Sequence, residues 1–239
     1  MKQLVFLITI FSFPVLSFCQ TAEDYLLSGF SKVKLKDFKG ANIDYSKAIE
    51  LNPQLDLAYY RRGLNKLILE DIKGATFDFN KAIEINPLNY EAFYGRALSK
   101  EALEDYEGAI ADYTKVIEIN PQINSEYSDI YDKRGSAKAN MEDHRGAISD
   151  YTKAIEINPQ DANTYNKRGY SKFILKDYRG AISDYTKVIE LNPKKADAYF
   201  GRGISYLSIG QKDSGCLDFS KAGELGFPKA YDTIKDLCQ

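Results

Sequence analysis

The sequence predicts an all-α solenoid: antiparallel helix pairs stacked in a row, six pairs long, closed by a short capping helix. Three observations carry this. Asn-Pro pairs recur, placing Pro53, Pro87, Pro121, Pro159 and Pro193 at intervals of 34, 34, 38 and 34 residues. A period of that length marks helical-hairpin repeats. Within each period an aromatic residue and a very small one stand four apart, on one helix face. Whole phrases also return almost unchanged: GAIADYTKVIEINPQ over 108–122 and GAISDYTKAIEINPQ over 146–160.

The first element stands apart from the repeats. Residues 1–19 hold Lys2, an apolar run from Leu4 to Leu16, then small residues around Ser17 and Cys19. This reads as a secretory signal peptide, cut after Cys19. The run is too short to span a bilayer convincingly. Two other readings stay open. LSFC resembles a bacterial lipobox, with Cys19 lipidated, although Phe18 stands where that pattern has a small residue. The segment could also be retained as an anchor. The expected location is the periplasm, the envelope or the outside of the cell.

Six units follow, 22–55, 56–89, 90–123, 128–161, 162–195 and 196–229, with 230–239 as the capping helix. Each first helix carries Tyr25, Tyr59, Phe93, Tyr131, Tyr165 or Tyr199, four residues before Gly29, Gly63, Ala97, Gly135, Gly169 or Gly203. A mid-helix Gly costs about 1 kcal/mol, so its recurrence implies that a neighbouring helix comes close. Each second helix starts at an N-cap candidate, Asp37, Asp71, Asp105, Asp143 or Asp177. It continues through a small residue, an aromatic four later (Tyr45, Phe79, Tyr113, Tyr151, Tyr185, Phe219), then Ala or Val. Asn-Pro ends it, because the residue before Pro is pushed out of helical geometry. A four-residue insertion precedes the fourth unit, where Ser125 is placed to cap a first helix that begins early. It reads as a tolerated loop change or as a lip on a binding surface.

This Tyr…Gly…Ala…Tyr/Phe…Ala…Pro pattern in 34 residues resembles the tetratricopeptide repeat and covers nearly all of the chain after the leader. The resemblance implies a right-handed superhelix with a concave groove lined by first helices. It also implies a protein or peptide partner and no catalytic chemistry. The sixth unit departs from the pattern. Gly226 and Phe227 replace Asn-Pro, Gly215 replaces Ala, and Gly223 replaces Ile. The terminal helix after it then covers the last apolar face.

Two side-chain sets recur in register. Arg62, Arg96, Arg134, Arg168 and Arg202 sit on first helices, and Asp44, Asp78, Asp112, Asp150, Asp184 and Asp218 on second helices. Only the first unit lacks the Arg, having Ser28. Because that unit has no predecessor, pairing to the preceding repeat is expected: Arg62–Asp44, Arg96–Asp78, Arg134–Asp112, Arg168–Asp150 and Arg202–Asp184. Pairing within a repeat is the rival. The groove face includes Tyr60, Arg61, Leu64, Tyr94 and Leu98 at one end, Lys133 in a polar middle, and Asn166, Lys167, Tyr170, Phe173, Phe200 and Ile204 at the other. Two apolar stretches around a polar centre suit an extended or helical peptide. The Lys and Asn that capture a C-terminal carboxylate in one family subtype are missing, since those places hold Leu26 and Phe30, Tyr60 and Leu64, and Tyr94 and Leu98.

Other chemistry is excluded. A net charge of −2 offers no field for nucleic acid. His144 is the single histidine and stands where other units have an aromatic at a helix start, so it reads as packing. No Cys/His spacing suits a metal, and no glycine-rich loop suits a phosphate. The expectation is no enzyme and no cofactor. Cys216 and Cys238 are placed where antiparallel helix ends meet, so a disulfide or two free thiols would follow. The function read from these residues is an exported interaction scaffold, with a structural or self-associating spacer subunit as the alternative.

Overall fold

A computed structural model describes residues 20–120 and 127–238. The signal-peptide and lipobox readings, Pro121 and Ser125 therefore lie outside the described residues. Thirteen α-helices follow one another among the described residues: α1 (Ala22–Lys34), α2 (Phe38–Leu51), α3 (Asp56–Ile68), α4 (Ile72–Ile85), α5 (Tyr90–Ala102), α6 (Tyr106–Ile119), α7 (Tyr127–Asn140), α8 (His144–Ile157), α9 (Ala162–Ile174), α10 (Tyr178–Leu191), α11 (Ala196–Ser208), α12 (Lys212–Glu224) and α13 (Lys229–Leu237). Consecutive helices pack on one another throughout, and α3 also meets α5, α7 meets α9, and α9 meets α11. First helices therefore crowd the inner, concave side of an antiparallel helix-pair solenoid.

Local chemistry sets the helix ends. Asp37, Asp71, Asp105, Asp143 and Asp177 are N-caps, each accepting from the N–H of the glycine three residues on. Asn52, Asn86, Asn158 and Asn192 do more than precede a proline. Each side-chain oxygen accepts from the N–H two residues on, at 3.1–3.3 Å. That Asx turn holds the exit from the second helix. Between the two helices of a pair, Lys36, Glu70, Glu104, Glu142 and Lys176 adopt left-handed backbone with φ of 61–63°. The sixth pair uses Gly210 there, at φ 80°.

Packing repeats with the sequence. Buried rings of Tyr45, Phe79, Tyr113, Tyr151 and Phe219 fill the space between helices of a pair. The tiny first-helix residue faces them, and a Cβ on Gly63 would lie 2.8 Å from Phe79 Cε1. The two ends are built differently. Ala58, Ala92, Ile130 and Ala198 are buried against the preceding repeat, whereas α1 has Asp24 at that register, followed by Ser28 and an exposed Ser31. At the far end α13 buries Ala230 over Phe219 and Ala222. Gly223 belongs to this cap, since a Cβ there would come 3.0 Å from the Tyr231 ring.

The Arg–Asp ladder closes within each repeat, which corrects the pairing expected to the preceding one. Arg62 donates from Nη2 to Asp78 Oδ1 at 2.7 Å and from Nε to Oδ2 at 2.8 Å. Arg96–Asp112, Arg134–Asp150, Arg168–Asp184 and Arg202–Asp218 repeat this two-pronged contact. Arg62–Asp44, Arg96–Asp78, Arg134–Asp112, Arg168–Asp150 and Arg202–Asp184 are not the pairs formed. The reason is reach: the Asp faces the first helix of its own pair, and both prongs of the guanidinium fork are used there. Only Nη1 remains to reach backward, and it finds Ser46, Asn80, Thr114, Thr152 or Thr186 at 2.8–3.1 Å. A lysine one turn after the Arg completes the cluster in repeats two to five, whereas the sixth has Tyr206 there, under the Arg202 guanidinium. Lys66, Lys100, Lys138 and Lys172 sit 2.7–2.8 Å from the same carboxylates. In the first repeat Ser28 and Lys32 serve Asp44, at 2.6 and 2.7 Å.

Four outcomes follow from these contacts and from the left-handed turn residues. Asp112→Ala strands Arg96 and Lys100 and should lower unfolding free energy by about 3 kcal/mol or more in urea titrations. Replacing Arg96 and Lys100 by Met and Asp112 by Leu together should recover most of that loss. Burial alone would raise the Asp44 carboxyl, but the Lys32 hydrogen bond, the Ser28 hydroxyl and the charges of Lys32 and Lys47 outweigh it and hold it below the usual 3.8. A carboxyl depressed by folding contributes stability above its unfolded pKa, and loses it as pH falls through the folded value. Asp44→Asn should therefore be less stable at neutral pH and show a shallower loss below the usual 3.8 in acid titrations. Glu104→Gly relieves a left-handed residue and should raise stability by about 0.5–1 kcal/mol, read as a higher urea midpoint.

Candidate partner-binding groove

The inner face divides into two halves with different surroundings. Toward the N-terminus, its side chains pack on the solenoid itself. The Tyr60 ring lies 6.2 Å from Phe79, and Leu64 packs on the same cluster. Arg61 stacks over Phe30 and over Tyr60, at 5.6 and 5.3 Å. Tyr94 leans on Tyr113 at 5.9 Å and donates its hydroxyl to Asp129. Burial, then that hydrogen bond and charge, push the Tyr94 phenol well above its ordinary range. Leu98 and Lys133 are half-buried. These positions form a closed, ring-rich wall.

Toward the C-terminus the face opens. Asn166, Lys167, Tyr170 and Phe200 line a cavity of about 1090 Å³. Tyr170, Phe173, Phe200 and Ile204 line a second of about 500 Å³. The two share Tyr170, Tyr185, Phe200 and Gly201, so they are continuous. Tyr170 is the most exposed of the face residues read from the sequence, at 55%. It meets His144 edge-on at 6.3 Å. The larger cavity has a polar side: Asn166 Nδ2 donates to Asp197 at 3.2 Å, and Lys167 Nζ donates to Ser136 at 3.1 Å and pairs with Asp132. Burial pushes the Tyr151 hydroxyl up to about 12, and burial, then the charge of Asp197, raise Tyr185 further. Both therefore face the cavity as neutral phenols at ordinary pH.

Several lining groups were not read from the sequence. His144 contributes to the cavity as well as packing at a helix start. Gly201 forms part of the floor, and Lys229, Thr233, Asp236 and Leu237 of α13 form a wall. Gly95 and Gly201 stand where other repeats carry Leu27, Arg61, Lys133 and Lys167, a substitution visible in the sequence. The α13 wall follows from how the cap docks, which no repeat pattern encodes. Cys216 and Cys238 are bonded, with Cα atoms 5.8 Å apart across 22 residues. In the chain-entropy account a loop of that size contributes about 3 kcal/mol. The bond ties the last turn of the cap to the second helix of the sixth repeat.

Such a site can bury apolar side chains and pair main-chain amides. Among the described residues no group of three or more His, Cys, Asp or Glu is placed to hold a metal ion. None of the described helices is long and apolar enough to cross a membrane.

Tetratricopeptide repeat patterns match residues 57–87, 90–123, 128–161 and 169–210, together more than half of the chain. Solved structures of the same fold include YrrB, a TPR protein with an unusual peptide-binding site. It is 21% identical, with a TM-score of 0.73 over 80% of this chain and 97% of that one. MamA is 25% identical, with a TM-score of 0.67 over 74% and 94%. A tetratricopeptide repeat protein from Parabacteroides merdae ATCC 43184 is 23% identical, with a TM-score of 0.60 over 92% and 84%. No curated protein matches the chain. With the repeat matched in sequence, and its helix pairs stacked as those structures stack theirs, this chain belongs to the tetratricopeptide repeat family and has a fold typical of protein–protein interaction scaffolds.

Proposed function

We propose that the protein is an exported adaptor that holds a segment of a partner protein on its concave face. The observation that carries this is the open cavity on the C-terminal half of that face, where Tyr170, Phe173, Phe200 and Ile204 converge beside polar groups. Ligand sites have this composition, mostly apolar with a few placed polar atoms. YrrB, of the same fold, has a peptide-binding site. Export is supported by the leader-like first nineteen residues and by the Cys216–Cys238 bond, which persists in oxidising compartments.

A self-associating role has one observation in its favour. Ile43 and Phe77 hold the same register on neighbouring second helices and are 58% and 56% exposed. If they mediate association, Phe77→Ser should reduce a concentration-dependent mass in light scattering.

Photo-crosslinking tests the main reading. A photoreactive residue at Tyr170, on the concave face, should trap a partner in intact cells that mass spectrometry identifies repeatedly. The same residue at Ser183, on a second helix, should not. Equal capture from both sides would count against a groove-binding adaptor. Fractionation of the cells should place the chain outside the cytoplasm, with its N-terminus at Gln20; an intact Met1 in a cytoplasmic fraction would defeat the export reading.

A further inference from the structure

The capping helix does more than cover the last repeat. Its residues divide between two faces. Ala230, Ile234 and Cys238 face the sixth repeat. Lys229, Thr233, Asp236 and Leu237, at helical spacing, face the smaller cavity. Opposite them stand Tyr170, Phe173, Tyr185, Phe200 and Ile204. The floor between is open because residue 201 is glycine: a Cβ there would sit 2.6 Å from Tyr185 Cζ. The result is a pocket with one wall on the repeats and one on the cap. The disulfide fixes the second wall, since it joins Cys238, at the end of α13, to Cys216 on α12.

The lining identifies the occupant. Four aromatic rings surround the pocket, and rings pack best against another ring, tilted or offset. Lys229 and Asp236 put one charge of each sign on the cap wall, so neither an anionic nor a cationic group is favoured inside. The pocket runs directly into the larger cavity, whose lining includes the polar side chains of Ser136, Asn140, Lys167 and Asp197. Polar side chains on a cavity wall can pair with the main-chain amides of an incoming segment. An apolar hole beside polar side chains matches a side chain next to its own main-chain amides. A lipid chain or a purely aromatic small molecule would satisfy the first part only.

Resting on the adaptor reading, we propose that the partner is gripped at this C-terminal end: a peptide segment inserts a large aromatic side chain between α11 and α13, and the Cys216–Cys238 bond holds the site in its binding form. Reduction leaves α13 free to move off the sixth repeat. Apparent affinity then falls by the fraction of molecules in which the wall is out of place.

The experiment is selection of a random phage-displayed peptide library on the full, oxidised chain, followed by fluorescence anisotropy of the enriched peptides. Enriched sequences should share an aromatic residue at one place, and its replacement by Ala should weaken binding at least about tenfold. Gly201→Leu fills the floor and should abolish binding. Because that change crowds Tyr185, Thr233→Trp is the companion variant, plugging the pocket from the partly exposed cap. A phosphine reductant should weaken binding at least about tenfold with helix content by circular dichroism unchanged. Binding that survives Thr233→Trp and reduction but is lost in Tyr60→Ala overturns the proposal and leaves the adaptor reading standing. Enriched peptides without a shared aromatic overturn it as well. A dimer dissolved by Thr233→Trp would assign the pocket to a second copy and overturn it. Failure to enrich any peptide overturns both readings.

Discussion

One buried carboxylate per repeat governs this structure. Asp78 and its equivalents are removed from water, which is tolerable only if charged donors converge on them. In repeats two to five the first helix of the same repeat supplies two, an Arg and a Lys one turn apart; Asp44 has Lys32 with the Ser28 hydroxyl, and Asp218 has Arg202. Because the guanidinium has three nitrogens and the carboxylate only two oxygens, Nη1 is left over, and it goes to a hydroxyl or amide on the preceding repeat. Each repeat is therefore internally closed and at the same time tied to its predecessor. The aromatic three residues before each Arg lies under the guanidinium, at 5.3–5.7 Å. Stability accumulates as unit terms plus neighbour terms, which suits a one-dimensional array.

Much of this architecture was legible in the sequence because repetition filters out accident. A residue that returns every 34 positions is answering a recurring physical need, and the aromatic–glycine mesh, the Asp caps and the helix stops at Asn-Pro are all of that kind. The direction of the ion pairs was not legible. Counting residues showed that the first repeat lacks its Arg, which is correct and relevant, but the inference drawn from it named the wrong acceptor. What Ser28 does without is the backward reach of Nη1; its hydroxyl and Lys32 suffice for Asp44. Register identifies which positions interact across the stack, but only geometry separates the prong of a guanidinium from its remaining donor.

The groove shows the same limit from the other side. Helical spacing assigned a set of first-helix residues to one face, and the structure does place Tyr60, Tyr94, Tyr170 and Phe200 on inner-facing helices. Whether such a residue is free depends on its neighbours. Tyr94 is engaged by Asp129 and Tyr113, while Tyr170 stands largely in the open. The open half exists because of non-repeating features: a glycine at 201, a glycine at 223 that seats Tyr231, and a cap docked by a disulfide. Periodicity describes what the repeats share, and the candidate site is made of what they do not share.

The polar outer face of α1 bears on how such a chain can lengthen. Asp24 and Ser28 stand where later repeats present a buried Ala or Ile (Thr164 in the fifth) and a reaching Arg to their predecessor. A unit duplicated ahead of α1 would meet water-loving groups and no guanidinium, and one added after α13 would meet the back of a cap. Between those ends every junction makes the same polar contact, from an Arg of the first helix to a Ser, Asn or Thr of the second helix before it. Gene duplication can therefore lengthen this solenoid only from within, and the near-identical phrases at 108–122 and 146–160 are what growth by internal copying would leave behind.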